Sequence, residues 1–194
     1  MSKATEGPER AVNGLLSVAQ LLEEPRLARL YTLVLRDGEV TIDDITSELE
    51  LPRTTAYSDT GTLVDLGVLT RDEDQKTHTY SAVPITLTAT LDGNKYTVTP
   101  TLIAAFGRSP HDQDLDLLVD KYGRGKLAAA LMYAIPYVNG EMSERVAARE
   151  LDLQYAFGVA VLQALRDVVQ EMEPIDPYFE DIQDAHETPP REED

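Results

Sequence analysis

The sequence predicts a mainly helical chain that carries a small β-sheet, an α+β arrangement. Apolar residues recur at i, i+3 and i+4 through several separate segments. One stretch alternates strictly between apolar residues and threonine before an Asp-Gly turn. Proline and glycine sit between the periodic segments and not inside most of them. The 194 residues, 42% of them hydrophobic, suffice for one generous domain or two small ones. With nine Tyr, three Phe and no Trp, aliphatic side chains must supply most of any core.

Residues 1–13 are polar and predict a loose start. An apolar rhythm begins at Leu15, Val18, Leu21 and Leu22 and is interrupted at Pro25, which suits the first turn of a new helix. Leu27, Leu30, Tyr31, Val34 and Leu35 then form one stripe, closed by Asp37-Gly38. Thr41 is a good N-cap for the next helix, with Asp44 three positions on as a weaker relative of the capping box. Ile42, Ile45 and Leu49 mark its inner face, and Leu51-Pro52 ends it, because a residue before proline is pushed out of the helical region. A further helix runs over 53–66. Val68-Leu69-Thr70 and Thr77 to Val83 read as two short strands joined by the polar turn RDEDQK.

The run ITLTATL, residues 85–91, turns at Asp92-Gly93 and returns through Lys95 to Thr99, a β-hairpin. Pro100 opens a short helix over 101–106, and 107–113 read as a polar loop. Helices follow over 114–122, 125–138, 143–151 and 154–172. From Glu173 onward there are nine acids, one Arg and four prolines, and the end of this stretch reads as a disordered solubilising tail. A local echo links the halves. Gly38-Glu39-Val40-Thr41 recurs as Gly140-Glu141-Met142-Ser143, and Glu48-Leu49-Glu50-Leu51 as Glu150-Leu151-Asp152-Leu153, both at an offset of 102 residues. Chance similarity and a second helix-turn-helix-like unit both account for it. The division expected is therefore residues 14–84, a hairpin and short helix at 85–106, a helical dimerisation or second helix-turn-helix-like unit at 110–173, and a tail at 174–194.

Residues 41–71, TIDDITSELELPRTTAYSDTGTLVDLGVLTR, describe a helix, a tight Leu-Pro turn, a second helix and a strand. A helix-turn-helix needs this arrangement, so that its second helix enters the major groove while the first crosses the backbone. Over residues 15–84 the chain resembles the winged helix-turn-helix domains of ArsR, MarR and TrmB-like regulators, many of them archaeal. The features carrying the resemblance are Leu-Pro-Arg-Thr-Thr, an aromatic position and a Leu-x-x-x-Gly-Val-Leu ending. It implies that Arg53, Thr54, Tyr57 and Ser58 form the exposed, DNA-facing start of a recognition helix. Arg71, Lys76 and His78 flank the wing and could meet phosphates or the neighbouring groove, although Asp72, Glu73 and Asp74 share that turn. Ser58 and Thr60 depart from the pattern, where a basic and a large aliphatic residue are usual. Each polar residue also has a plainer role available, as a cap or an ordinary surface group.

The function this implies is sequence-specific binding of double-stranded DNA by a homodimeric transcription regulator. One recognition helix reads little sequence, whereas a two-fold pair reads two half-sites. Segments 125–138 and 154–172 offer a dimer interface, or else form only an internal core. The competing reading is an acidic winged-helix adaptor that docks onto proteins of a transcription complex without touching DNA. Charge favours that alternative. The chain carries 35 acidic and 17 basic residues, a net charge of -18, and residues 39–99 hold 11 acids against Arg53, Arg71, Lys76 and Lys95. Twelve Arg against five Lys, amid abundant Asp and Glu, resembles the composition of halophilic proteins. In molar salt the Debye length falls to ~3 Å and long-range repulsion fades.

Other chemistry is thin. Without cysteine there is no disulfide, thiol nucleophile or cysteine metal site, and His78, His111 and His186 are widely spread. Asp112, Asp114 and Asp116 lack the Gly and closing Glu of a calcium loop and suit a helix N-terminus. Gly123-Arg124-Gly125-Lys126 is not a phosphate loop. No paired nucleophile and base stands out, so neither an enzyme nor a cofactor is expected. The start MSKATEGPER lacks the apolar core of a secretory signal, and no segment approaches a membrane span, so a cytoplasmic protein is expected.

Overall fold

The computed structural model describes residues 6–72, 77–91 and 94–179. Helices α1 (Glu6–Glu23), α2 (Pro25–Asp37), α3 (Ile42–Leu49) and α4 (Arg53–Asp65) come first, with a two-residue strand β1 (Val40–Thr41) between α2 and α3. Strands β2 (Leu69–Asp72) and β3 (Thr79–Ala82) follow, then the hairpin β4 (Leu87–Leu91) and β5 (Asn94–Val98). The remainder is helical: α5 (Pro100–Arg108), a 3-10 turn at Ser109–His111, α6 (Gln113–Tyr122), α7 (Arg124–Val138), α8 (Glu144–Glu150) and α9 (Tyr155–Met172). The fold is thus mostly helical with small antiparallel sheets, as the periodicity predicts.

Local chemistry explains most boundaries. Pro25 occupies the first turn of α2. Thr41 and Asp44 make a complete capping box: the Thr41 hydroxyl accepts from the Asp44 N–H at 3.3 Å, and Asp44 accepts from the Thr41 N–H at 2.8 Å. The Thr41 hydroxyl, donating to Asp44 Oδ2 at 2.7 Å, and then the Thr41 N–H hold the Asp44 carboxyl below its usual range. Strand β3 is central in the order β1-β3-β2, with Val40 opposite Tyr80 and Arg71 opposite Tyr80 on the other side. Strands β4 and β5 form a separate two-stranded sheet.

Two expectations are corrected and two are sharpened. Helix α1 begins at Glu6, inside the segment read as loose, and carries an acid and Pro8 in its first turn. The loop expected at 107–113 is instead the end of α5 and a 3-10 turn, with the buried Ser109 hydroxyl donating to the Phe106 carbonyl at 2.9 Å. The first residues beyond α9 pack onto the core. Phe179 is buried against the C-terminal core, and the buried Asp176 carboxylate accepts from the N–H and hydroxyl of Thr101 in the first turn of α5. The rest of that tail lies outside the described residues. Finally, the apolar faces of 125–138 and 154–172 are occupied within the chain. Leu127, Ala130, Leu131 and Ala134 of α7 pack with Val161, Leu162, Leu165 and Val168 of α9.

Two cores meet at α5. The N-terminal one joins α2, α3, α4 and the three-stranded sheet around Leu30, Tyr31, Ile45 and Leu63, and it takes Ile103 from α5. The C-terminal one takes Leu102, Ala105 and Phe106 from the same helix. Every residue from Pro100 to Gly107 is buried. Helix α5 sits so close to α2 that a Cβ on Gly107 would lie 2.7 Å from the Arg29 backbone nitrogen. Tyr31, fully buried, donates its hydroxyl to the Val83 carbonyl and accepts the Ile85 N–H, both at 3.0 Å. Burial pushes its phenol pKa above the usual range.

The sequence echo has a backbone counterpart. Glu50 and Asp152, 102 residues apart, are the two non-glycine residues of positive φ among those described, at 53° and 50°. Gly38 and Gly140 share φ near 80° before α3 and α8. The inward positions correspond as well: Ile45 and Ala147, Leu49 and Leu151, Ala56 and Gly158, Leu63 and Leu165 are all buried.

Gly107→Ala is expected to destabilise by about 1–3 kcal/mol, since helix backbone must give way. Gly61→Ala, in open space on α4, should stabilise by about 0.5–1 kcal/mol through helix propensity alone. Opposite signs in urea melts check the α2–α5 contact. Tyr31→Phe leaves a carbonyl and an N–H without their partner and should cost about 1–3 kcal/mol by the same measurement.

Candidate nucleic-acid interface

Helices α3 and α4 form a tight pair. Glu50 adopts a left-handed conformation just after α3, a position glycine or asparagine more often fills. Half-buried Leu51 and then Pro52 carry the chain into α4 without a side-chain cap. Along α4, Ala56, Asp59, Thr60 and Leu63 point inward at i, i+3, i+4 and i+7. Arg53, Thr54, Tyr57, Ser58 and Gly61 are all exposed, and Tyr57 retains 49% of its accessible surface. The helix periodicity that buries one set therefore gathers Arg53, Thr54, Tyr57 and Ser58 on one outward face. Thr55 lies between them, half-buried.

That face contains no exposed carboxylate from 53 to 61. Asp59, the acid within the span, is buried and receives Arg26 of α2 in a forked pair, Nε to Oδ2 at 2.6 Å and Nη2 to Oδ1 at 3.2 Å. The hydrogen bond and charge of Asp59 raise the Arg26 guanidinium pKa further. The pair pins the middle of α4 to α2, a positioning role the sequence reading missed. Its signal was available: residue 59 falls on the inward stripe set by Ala56 and Leu63, where a carboxylate requires a partner. Thr60, the second departure from the regulator pattern, satisfies its buried hydroxyl by donating to the Ala56 carbonyl at 2.8 Å.

Arg53 is exposed but engaged. Its guanidinium lies over the Tyr57 ring, 5.6 Å from the centroid, and its Nη1 donates to Asp43 at the start of α3. Tyr57 first, and Asp43 second, raise its pKa. The cation is thereby held across the α3–α4 notch while its charge is locally compensated. Both partners are exposed, so a phosphate or base edge competes with Asp43 in water.

On the wing, Arg71 and Asp72 are exposed on β2, and His78 is exposed just before β3. Lys76 falls outside the described residues. The predicted residues thus divide into one cluster on α4 and a separate group on the β2–β3 arm. Asp112 caps α6, accepting from the N–H groups of Asp114 and Leu115 at 3.0 and 3.1 Å. Among the described residues, no group of three His, Asp or Glu converges as a metal site, and no helix is long and apolar enough to cross a membrane.

Two family models match separate parts of the chain, each covering well under half of it. Residues 109–174, from the 3-10 turn to just beyond α9, match a family of unknown function (DUF7437). No curated protein and no solved structure matches. Residues 27–86, from α2 through the wing, match the sugar-specific transcriptional regulator TrmB, so the segment bearing the α4 face is similar to the winged-helix part of a transcription regulator.

Proposed function

We propose that the chain is a transcription regulator that binds double-stranded DNA in a sequence-specific manner, with α4 in the major groove. The observation that carries this reading is the outward face of α4. Arg53, Thr54, Tyr57 and Ser58 stand together there, and the carboxylate of Asp59 is turned inward onto Arg26. A guanidinium suits guanine or phosphate, and hydroxyls suit phosphate oxygens. Arg71, Lys76 and His78 on the wing add backbone contacts beside that groove. The similarity of residues 27–86 to TrmB supports regulation of transcription; the sugar in that family's description is no part of this reading. Compensation of Arg53 by Asp43 and the net charge of -18 favour the other reading, an acidic adaptor docking on proteins. High intracellular salt reconciles that charge with DNA, since it screens the distant acids and leaves short contacts in place.

The reading includes a homodimer in the cytoplasm that binds two half-sites about 34 Å apart. Because α7 and α9 spend their apolar faces internally, the dimer face proposed is on α1. Val12, Leu15 and Leu16 are 54%, 51% and 59% exposed, and Ala19 is exposed beside them. Positions 12, 15, 16 and 19 are symmetric about their midpoint, so two antiparallel copies would set Leu15 against Leu16 and Val12 against Ala19. An isologous interface requires such self-complementarity. Residues 124–172 are proposed as a second, wingless helix-turn-helix-like unit. At the positions of Arg53, Thr54, Tyr57 and Ser58 it carries Tyr155, Ala156, Val159 and Ala160, which suits packing better than reading bases.

Chromatin occupancy of the full chain in its own organism should give discrete peaks that Arg53→Ala depletes. With a defined site taken from those peaks, the same change should weaken binding roughly ten- to a hundredfold. Absent peaks, or peaks indifferent to the substitution, would overturn the assignment. Light scattering in concentrated potassium chloride should return twice the 21.5 kDa chain mass, falling to a single chain for Leu16→Glu. A wild-type monomer removes the two-half-site mechanism.

A further inference from the structure

A recess of about 340 Å³ opens where the two halves of the chain meet, between α2, α3, α5 and α9. Its floor is apolar, with Leu33, Leu49, Ala104 and Val168. Its walls carry Arg29, Arg36, Arg108 and His111 against Glu48 and Glu171. The lining thus sets three guanidiniums against two carboxylates, on a chain with 35 acids and 17 bases.

These cations are not equivalent. Glu171 receives Arg36 Nη1 at 2.9 Å and lies 3.6 Å from Arg108 Nη1, so one carboxylate holds two guanidiniums in place. Arg36 also grips Asp37, Nε to Oδ1 at 2.6 Å, and Arg108 reaches Asp167 at 3.8 Å. Arg29 has no carboxylate partner among the described residues. Its Nη1 lies 3.3 Å from His111 Nε2, and among the described residues its guanidinium makes no other hydrogen bond. An arginine facing an imidazole, beside two arginines already oriented by a shared glutamate, is an arrangement that an oxyanion completes.

We propose that this recess binds a small organic oxyanion, a phosphorylated or polycarboxylic metabolite, through Arg29, Arg108 and His111. Its volume falls in the range of small-molecule sites, and its apolar floor suits a carbon skeleton more than a nucleic-acid backbone. Arg29 and Arg36 belong to α2 and Glu48 to α3, the first helix of the helix-turn-helix. Arg108, His111 and Glu171 come from the C-terminal half. A ligand there clamps the DNA-binding unit to the rest of the chain and favours one setting of α3 and α4. That consequence rests on the regulator reading above; the anion site itself does not.

Pyrophosphate and citrate, one for each source of oxyanion, are titrated into the full chain at constant ionic strength, with potassium chloride as the blank. At least one should raise the melting midpoint saturably, by about 5 °C or more at a hundredfold excess over Kd. The His111 ring resonances should shift with the same saturation, leaving those of His78 and His186 in place. Arg29→Gln and Arg108→Gln should each weaken binding tenfold or more, whereas Arg145→Ala, exposed on α8, should not. No saturable response to either anion, or a response that survives both substitutions, overturns the site. Loss of DNA binding in Arg29→Gln without any anion response would assign the arginines to DNA phosphates instead, and also overturns it. Saturable binding that leaves chromatin occupancy unchanged would retain the site and remove its regulatory role.

Discussion

Helix α5 has no exposed residue between Pro100 and Gly107, and its seat against α2 at Gly107 sets the distance between the two cores. One side of this nine-residue helix gives Ile103 to the winged-helix core, and the other gives Leu102, Ala105 and Phe106 to the helical core. Its N-terminus is held by Thr99 within the chain segment and by Asp176 from beyond α9. A change in α5 is therefore felt by both halves at once. The recess with its three arginines lies beside this close approach, lined by residues of both α2 and α5.

Carboxylate placement is the second constraint. A chain so acidic must keep its negative charge away from any surface meant for DNA. Four of its acids are engaged within the fold: Asp59 turns inward onto Arg26, Asp44 closes a capping box, Asp112 caps α6, and Asp176 caps the first turn of α5. Each makes a hydrogen bond or ion pair that a solvated surface acid would lack. Asp43, exposed at the start of α3, pairs with Arg53 and offsets that guanidinium's charge on the α4 face.

The similarity between the halves has a physical reading that does not depend on sequence identity. Both α3–α4 and α8–α9 are joined by a left-handed non-glycine residue, after a glycine of positive φ three residues before the N-cap position of the first helix. The same turn brings the second helix back across the first, where Ala56 and Gly158 supply the small side needed for close approach. What differs is the outward surface, polar on α4 and largely apolar at the start of α9.

Helix positions, the capping box, the wing strands and the inward stripe of α4 were determined by local sequence, because each rests on interactions within a few residues. The exposed α4 cluster followed from the same periodicity, since fixing the buried face of a helix fixes the other. Only the tertiary structure decided the rest, where the partner is distant along the chain. Arg26 meets Asp59 across 33 residues, Thr101 meets Asp176 across 75, and Arg29 meets His111 across 82. The apolar periods of α7 and α9 look the same whether they face a second copy or each other. Packing alone assigned them to the interior, and left the unpaired stripe of α1 on the outside.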